Sequence, residues 1–103
     1  MNRLVALFLA IGGTALAGET ATIDGTALER LVLQDCGSCH GLTLKGGLGP
    51  DIRPEALAHY DRAGLAAVIL DGIPGTPMPP WRPLLTQAEV DWMVTYLLSG
   101  GTQ

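Results

Sequence analysis

The first regular apolar stripe along the chain predicts a helix that begins close to residue 26. Its members follow the i, i+3, i+4 spacing of one helix face and are Leu28, Leu31 and Val32. Thr26 and Glu29 lie three residues apart at the start of this run, which is the spacing of a capping box. The pattern therefore predicts a helix from Thr26 to about Gln34 or Cys36.

Three more helices follow from stripes and end signals of the same kind. Pro54 suits the first turn of a short helix, a second helix fits residues 61–71 before Gly72, and a third fits residues 86–99. The stripes of the two longer helices are Leu65, Val68 and Ile69, and then Val90, Met93, Val94 and Leu97. No convincing strand alternation appears after residue 17, so we expect an all-α fold of three to four short helices.

The N-terminus has the order of a secretory signal. Arg3 provides a basic start, residues 4–11 are apolar, and Ala15-Leu16-Ala17 resembles a cleavage site for small residues. The alternative is a membrane anchor, but the apolar segment is shorter than the roughly 20 residues that span a bilayer. We expect residues 1–17 to be a cleaved signal peptide and residues 18–103 to form one exported domain without stable membrane insertion.

Charge narrows the possible partners of that domain. Without Arg3, five basic residues remain against ten acidic ones, a net charge of −5. Such a surface is unsuited to nucleic acid or anionic membranes, and it favours a protein partner with a basic docking face. Lys45 is the single lysine.

The chemistry of the chain is concentrated in Cys36-Gly37-Ser38-Cys39-His40. Two cysteines three residues apart, followed at once by histidine, are the attachment motif of c-type haem. The thiols can form thioethers with the two vinyl groups of one porphyrin, and the imidazole of His40 can then ligate the iron. A thiol–disulfide centre is an alternative that should lie in a βαβ context. Zinc is another, although the motif lacks a second, spaced pair of ligands.

Two other segments could complete a haem site. Residues 46–50 are rich in glycine, which permits a close backbone approach to a flat cofactor. Met78 lies in a proline-rich loop, so its position is not that of a helix-face core residue, and it is the candidate second iron ligand. Met93 falls within a regular helical stripe and is expected in the core. His59 lies in a polar stretch and is expected to be a surface residue.

The order of these features across residues 26–99 resembles the class I cytochrome c family. The resemblance implies the class I cytochrome c fold, with short helices around one covalently bound haem c. It implies that Cys36 and Cys39 attach the haem, and that His40 and Met78 are the axial iron ligands. It also implies that the backbone carbonyl of Pro50 accepts a hydrogen bond from the His40 ring. The first and last helices would cross, with Trp92 or Tyr96 at their contact.

Residues 46–50 and 72–81 are similar to those of a narrower group, the NirC type. These are small periplasmic cytochromes encoded with the haem cd1 nitrite reductase of denitrifying bacteria. The group implies a periplasmic, monomeric one-electron carrier that is not an enzyme. Its acceptor would be the cd1 nitrite reductase and its donor a quinol-linked protein. One alternative is an accessory role in maturation of haem d1 for that reductase, and a more remote one is a haem ligand sensor or peroxidase.

Overall fold

The computed structural model describes residues 22–101 of the chain. The predicted signal peptide, residues 1–17, lies outside the described residues. Five α-helices are present between residues 22 and 101, without any strand. None of the helices in this range is long and apolar enough to cross a membrane.

One continuous helical segment carries the cysteine motif. It consists of α1 (Gly25–Leu31), a π-helical stretch (Val32–Cys36) and α2 (Gly37–His40). The segment is longer than predicted, because the wider π-helical turn lets the helix continue through the motif instead of ending before it.

The predicted capping box at the start of α1 is wrong. The cap is Asp24, whose carboxylate accepts a hydrogen bond from the backbone N–H of Ala27 at 3.0 Å. Thr26 lies inside the helix, since an aspartate two residues earlier already satisfies a free N–H group of the first turn.

The remaining helices confirm the predicted pattern. They are α3 (Pro54–Leu57), α4 (Arg62–Asp71) and α5 (Gln87–Leu98). Asp61 caps α4 by accepting the N–H of Gly64 at 2.6 Å. Thr86 and Glu89 form both bonds of a capping box at α5, at 2.9 and 3.1 Å. Each of these caps involves residues that are close in sequence, and each forms in the structure.

The core lies where α5 packs against α1, α3 and α4. Met93 is 1% exposed, so it is a core residue as predicted. Trp92 marks the crossing of α1 and α5: a Cβ atom on Gly25 would lie 3.0 Å from its ring. Trp92 also stacks on Tyr96 with ring centroids 5.4 Å apart. The predicted contact between the first and last helices is thus present, and it involves this aromatic pair.

The chain after His40 folds back on the helix end as a glycine loop, residues 41–50. Backbone N–H groups of Gly46 and Gly49 donate to the carbonyls of His40 and Cys39, each at 2.7 Å. Gly41 has φ of 90°, and a Cβ atom there would lie 2.4 Å from the carbonyl oxygen of Gly46. Only glycine permits this return of the chain.

Gly49 controls how closely the glycine loop approaches His40. A Cβ atom on Gly49 would lie 2.8 Å from Cε1 and 2.9 Å from Nδ1 of the imidazole. We therefore expect Gly49→Ala to displace the ring or the loop and to lower the free energy of unfolding by about 1–3 kcal/mol. Urea titration followed by far-ultraviolet circular dichroism measures this change.

The matched control is Gly37→Ala, in the cysteine motif itself. A Cβ atom on Gly37 would meet its nearest neighbour, Cα of Leu42, at an ordinary 3.6 Å. Because alanine also favours a helix, the control should be neutral or slightly stabilising. Equal stability of the two variants would show that Gly49 does not govern the packing of His40.

Candidate functional site

Cys36, Cys39 and His40 lie on the continuous helical segment described above. The three-residue spacing of the cysteines places both thiols on one side of it. Both cysteines are free and half-buried. The helix therefore presents two unpaired thiols and an imidazole to one region of the surface.

As a free thiol, Cys36 is poorly suited to redox exchange. Burial, together with the negative charge of Asp35 and the neighbouring Cys39, raises the pKa of Cys36 from 9.0 to about 11. A disulfide exchange centre instead needs a cysteine whose pKa is lowered, because the thiolate is the nucleophile. The buried environment of Cys36 therefore does not activate its thiol in the way that an exchange nucleophile requires.

A closed zinc site also finds no support in residues 22–101. No group of three or more His, Cys, Asp or Glu side chains in this range is arranged to hold a metal ion. The thiols and the imidazole are thus adjacent in sequence without converging on a common point as zinc ligands do.

The His40 ring is oriented by the glycine loop. Its Nδ1 atom lies 2.7 Å from the backbone carbonyl oxygen of Pro50. Because a carbonyl can only accept, Nδ1 carries the hydrogen, and the lone pair of the neutral ring is on Nε2. A donor bond of this kind fixes the ring and increases its basicity toward a metal.

An ion pair fixes the turn that follows Pro50. Asp51 accepts the backbone N–H of Arg53 at 2.8 Å and pairs with its guanidinium at 2.7 Å. The hydrogen bonds from Arg53 lower the pKa of Asp51 to about 2. Arg53 is exposed and Asp51 is partly exposed, so the pair stabilises the fold only slightly. Its effect is to restrict the backbone directly behind the His40 acceptor.

Met78 lies in a methionine loop, residues 72–81, that begins at the end of α4 and returns to it. The N–H of Gly72 donates to Val68 at 2.9 Å, and that of Trp81 to Ile69 at 3.1 Å. Gly72 has φ of 67°, and a Cβ atom there would lie 2.6 Å from the carbonyl oxygen of Met78. Glycine is therefore needed where the loop leaves the helix.

A second ion pair closes the base of the methionine loop. Arg82 donates to both carboxylate oxygens of Asp71, at 2.8 and 2.9 Å. Its backbone N–H also donates to the carbonyl of Leu70 at 3.0 Å. The two residues are eleven positions apart in sequence, and the arginine lowers the pKa of Asp71. The loop that carries Met78 is consequently held at both ends.

The chemistry and burial of these residues fit a covalently attached haem. The incompletely covered residues that pack on the core include Cys36, Leu44, Ile52, Tyr60, Met78 and Trp81. Partly buried apolar side chains of this kind are available to contact a flat apolar macrocycle. No polar or charged residue of the described chain is buried. Two thiols suit the vinyl groups, and an imidazole and a thioether suit the iron. Exposed His59 lies against Tyr60, with ring centroids 4.3 Å apart, as expected of a surface residue.

Sequence reasoning missed two kinds of supporting residue. The spacing of Asp51 and Arg53 could have suggested a local pair, since a single residue separates a short acid from a long base. The pairing of Asp71 with Arg82 had no such signal, because a loop of unknown path lies between them.

Comparison with known proteins agrees with this geometry. The family model for the cbb3-type cytochrome c oxidase subunit III matches residues 24–97. Cytochrome c55X of Paracoccus denitrificans (strain Pd 1222) is 50% identical over 103 residues, which is 100% of both chains. A solved structure of the c-type cytochrome NirC is 53% identical with a TM-score of 0.71, and covers 73% of this chain and 88% of its own.

A larger relative contains a similar domain. Dihydro-heme d1 dehydrogenase of Pseudomonas aeruginosa is 41% identical over 93 residues, which is 90% of this chain but 18% of that protein. A solved structure of dihydro-heme d1 dehydrogenase NirN is 40% identical with a TM-score of 0.64, and covers 68% of this chain and 15% of its own.

These matches establish the class I cytochrome c fold, covalently bound haem c and a place in the nitrite reductase-related system of denitrification. They also show that the chain is an electron carrier and not an enzyme. The chain belongs to the cytochrome c family, as a relative of the NirC and cytochrome c55X proteins.

Proposed function

We propose that this protein is a periplasmic monohaem cytochrome that donates single electrons to the cd1-type nitrite reductase. Residues 1–17 direct export and are removed, and residues 18–103 form the monomeric carrier. Cys36 and Cys39 would hold the haem, and His40 and Met78 would supply the two side-chain ligands of its iron. The observation that carries the proposal is that the backbone around each proposed ligand is fixed at a helix end. His40 ends α2 and its ring is held by the glycine loop, and Met78 lies on a loop tied by backbone bonds to the end of α4.

A site with two protein ligands suits electron transfer. When bound, the haem supplies a one-electron couple between ferric and ferrous iron. The thioether of Met78 is a soft ligand that favours the ferrous state, so a Met/His pair raises the reduction potential. Pro50 fixes the ring of His40 by accepting its Nδ1–H. With both of these side chains bound to the iron, no coordination position would remain open for a substrate.

The backbone hydrogen bonds that hold both loops favour fast electron transfer. The glycine loop bonds to the carbonyls of Cys39 and His40, and the methionine loop to those of Ile69 and Leu70. Loops held in this way keep their geometry when the charge on the iron changes. Little structural rearrangement is then needed for each electron that enters or leaves.

Three observations support the partner. The relative from Paracoccus denitrificans is similar along its whole length, and the similar solved structure bears the name NirC. The net charge of −5 without Arg3 favours a basic docking face on the acceptor. A quinol-linked protein is the proposed donor.

The second candidate function is assistance in haem d1 maturation. It is favoured by the relative named dihydro-heme d1 dehydrogenase, in which a domain similar to this chain occupies 18% of the length. In this role the protein would supply or accept electrons for a maturation enzyme.

A ligand sensor or peroxidase needs a distal position that opens. The bonds from residues 72, 81 and 82 to the end of α4 oppose such opening. This third candidate is therefore disfavoured.

One prediction of this proposal concerns the role of Met78 as an iron ligand. Met78→Ala should open the sixth coordination site, lower the reduction potential and allow carbon monoxide to bind ferrous haem readily. Visible spectroscopy and redox titration of the purified holoprotein measure these changes. Met93→Ala is the control, because that thioether is in the core. It should lower stability by about 2–5 kcal/mol while retaining the spectrum. An unchanged spectrum and potential in Met78→Ala would exclude Met78 as a ligand.

Another prediction concerns the cd1 nitrite reductase as the electron acceptor. Oxidised cd1 nitrite reductase should rapidly oxidise the reduced cytochrome when the two purified proteins are mixed. Stopped-flow absorbance measures the rate, which should fall as the salt concentration increases. A deletion strain separates the two candidate functions. Normal d1 content with slow nitrite reduction supports the electron donor, whereas a reductase lacking d1 supports maturation.

A further inference from the structure

The methionine loop has few backbone groups with which to hold its central residue. Residues 77, 79 and 80 are prolines and have no N–H group. Met78 therefore provides the single backbone N–H between residues 77 and 80. Whatever accepts this N–H determines how firmly the backbone at Met78 is held.

The acceptor is a side chain. The N–H of Met78 donates to Oγ1 of Thr76 at 3.3 Å. In return, the carbonyl of Met78 accepts the N–H of Ile73, also at 3.3 Å. Both bonds are long for N–H···O geometry. The bond to Thr76 therefore forms only if the threonine hydroxyl directs a lone pair at the N–H of Met78.

That orientation is fixed by the start of the loop. Thr76 Oγ1 donates its hydrogen to the carbonyl of Ile73 at 2.7 Å, and the backbone N–H of Thr76 donates to the same carbonyl at 3.1 Å. A hydroxyl has one hydrogen, so a lone pair remains for the N–H of Met78. Ile73, Thr76 and Met78 thus form a closed set of hydrogen bonds across the tip of the loop.

We propose that Thr76 is a positioning residue for Met78, and that its hydroxyl limits how readily the thioether leaves the iron. The inference rests on the proposed function, in which Met78 is the distal ligand. The ion pair between Asp71 and Arg82 closes the base of the loop, whereas Thr76 restrains its tip. Without the hydroxyl, the N–H of Met78 loses its acceptor, and the long bond from the N–H of Ile73 to the carbonyl of Met78 is what still holds the backbone of Met78.

The test uses the holoprotein and imidazole as an external ligand for ferric haem. Thr76→Val keeps the shape of the side chain and removes the hydroxyl, whereas Thr76→Ser keeps the hydroxyl. Loss of one hydrogen bond should increase the apparent imidazole affinity about fivefold in Thr76→Val. The charge-transfer absorption of thioether-bound ferric haem should weaken, and the reduction potential should fall. Thr76→Ser should restore wild-type behaviour.

Thr43→Val is the matched control, because Thr43 is also an exposed loop threonine but lies in the glycine loop. It should leave imidazole affinity unchanged. Thr76→Ala provides a second hydroxyl-free variant, and it should behave as Thr76→Val does.

Wild-type imidazole affinity and potential in both Thr76→Val and Thr76→Ala would overturn the role of Thr76. Equal weakening in Thr76→Ser would also overturn it, since the hydroxyl would then not be responsible. Failure of the proposed ligand itself is recognised separately. In that case Met78→Ala would bind imidazole as the wild type does, and the ligand assignment and the inference would fall together.

Discussion

Helix carbonyls that need donors are the constraint on which this structure depends. The last carbonyl groups of a helix have no partner within it and must be satisfied from outside. Here the segment that ends at His40 is satisfied by N–H groups of Gly46 and Gly49, and α4 by those of residues 72, 81 and 82. Each loop that completes a helix end also carries or orients a proposed iron ligand. The stability of the fold and the geometry of the site therefore share the same bonds.

The two loops satisfy this constraint with opposite chemistry. The glycine loop achieves close contact, as at Gly41 and Gly49, at a cost in chain entropy on folding. The methionine loop is stiffened in advance by its prolines, which lowers the entropy lost on folding. Stiffening removes hydrogen-bond donors, however, and this leaves Met78 dependent on Thr76. The flexible loop is thus held by backbone contacts, whereas the rigid loop is held by a side chain.

The parts of the structure that could be predicted are those with local causes. The caps at Asp61 and Thr86 and the apolar stripes of α4 and α5 depend on residues within one or two turns. The cap of α1 was misassigned because Thr26 and Glu29 have the spacing of a box, whereas Asp24 binds the first turn. Bonds that depend on the path of a loop, such as Asp71 to Arg82, have no local pattern. The candidate ligands came from the cysteine–histidine motif and the proline-rich loop, and the family resemblance then paired them as the axial ligands; periodicity alone indicated neither.

The aromatic pair on α5 has a consequence for how the domain can be used in larger proteins. Trp92 lies against Gly25, and a Cβ atom on Gly101 would lie 3.2 Å from the hydroxyl oxygen of Tyr96. Residues 25 and 101, one at the start of the helical core and one after its end, are therefore held at neighbouring rings on one helix. A domain whose first and last elements meet in this way can be joined to another with little disturbance of its interior. This arrangement gives a physical basis for the appearance of a similar domain as 18% of a much longer relative.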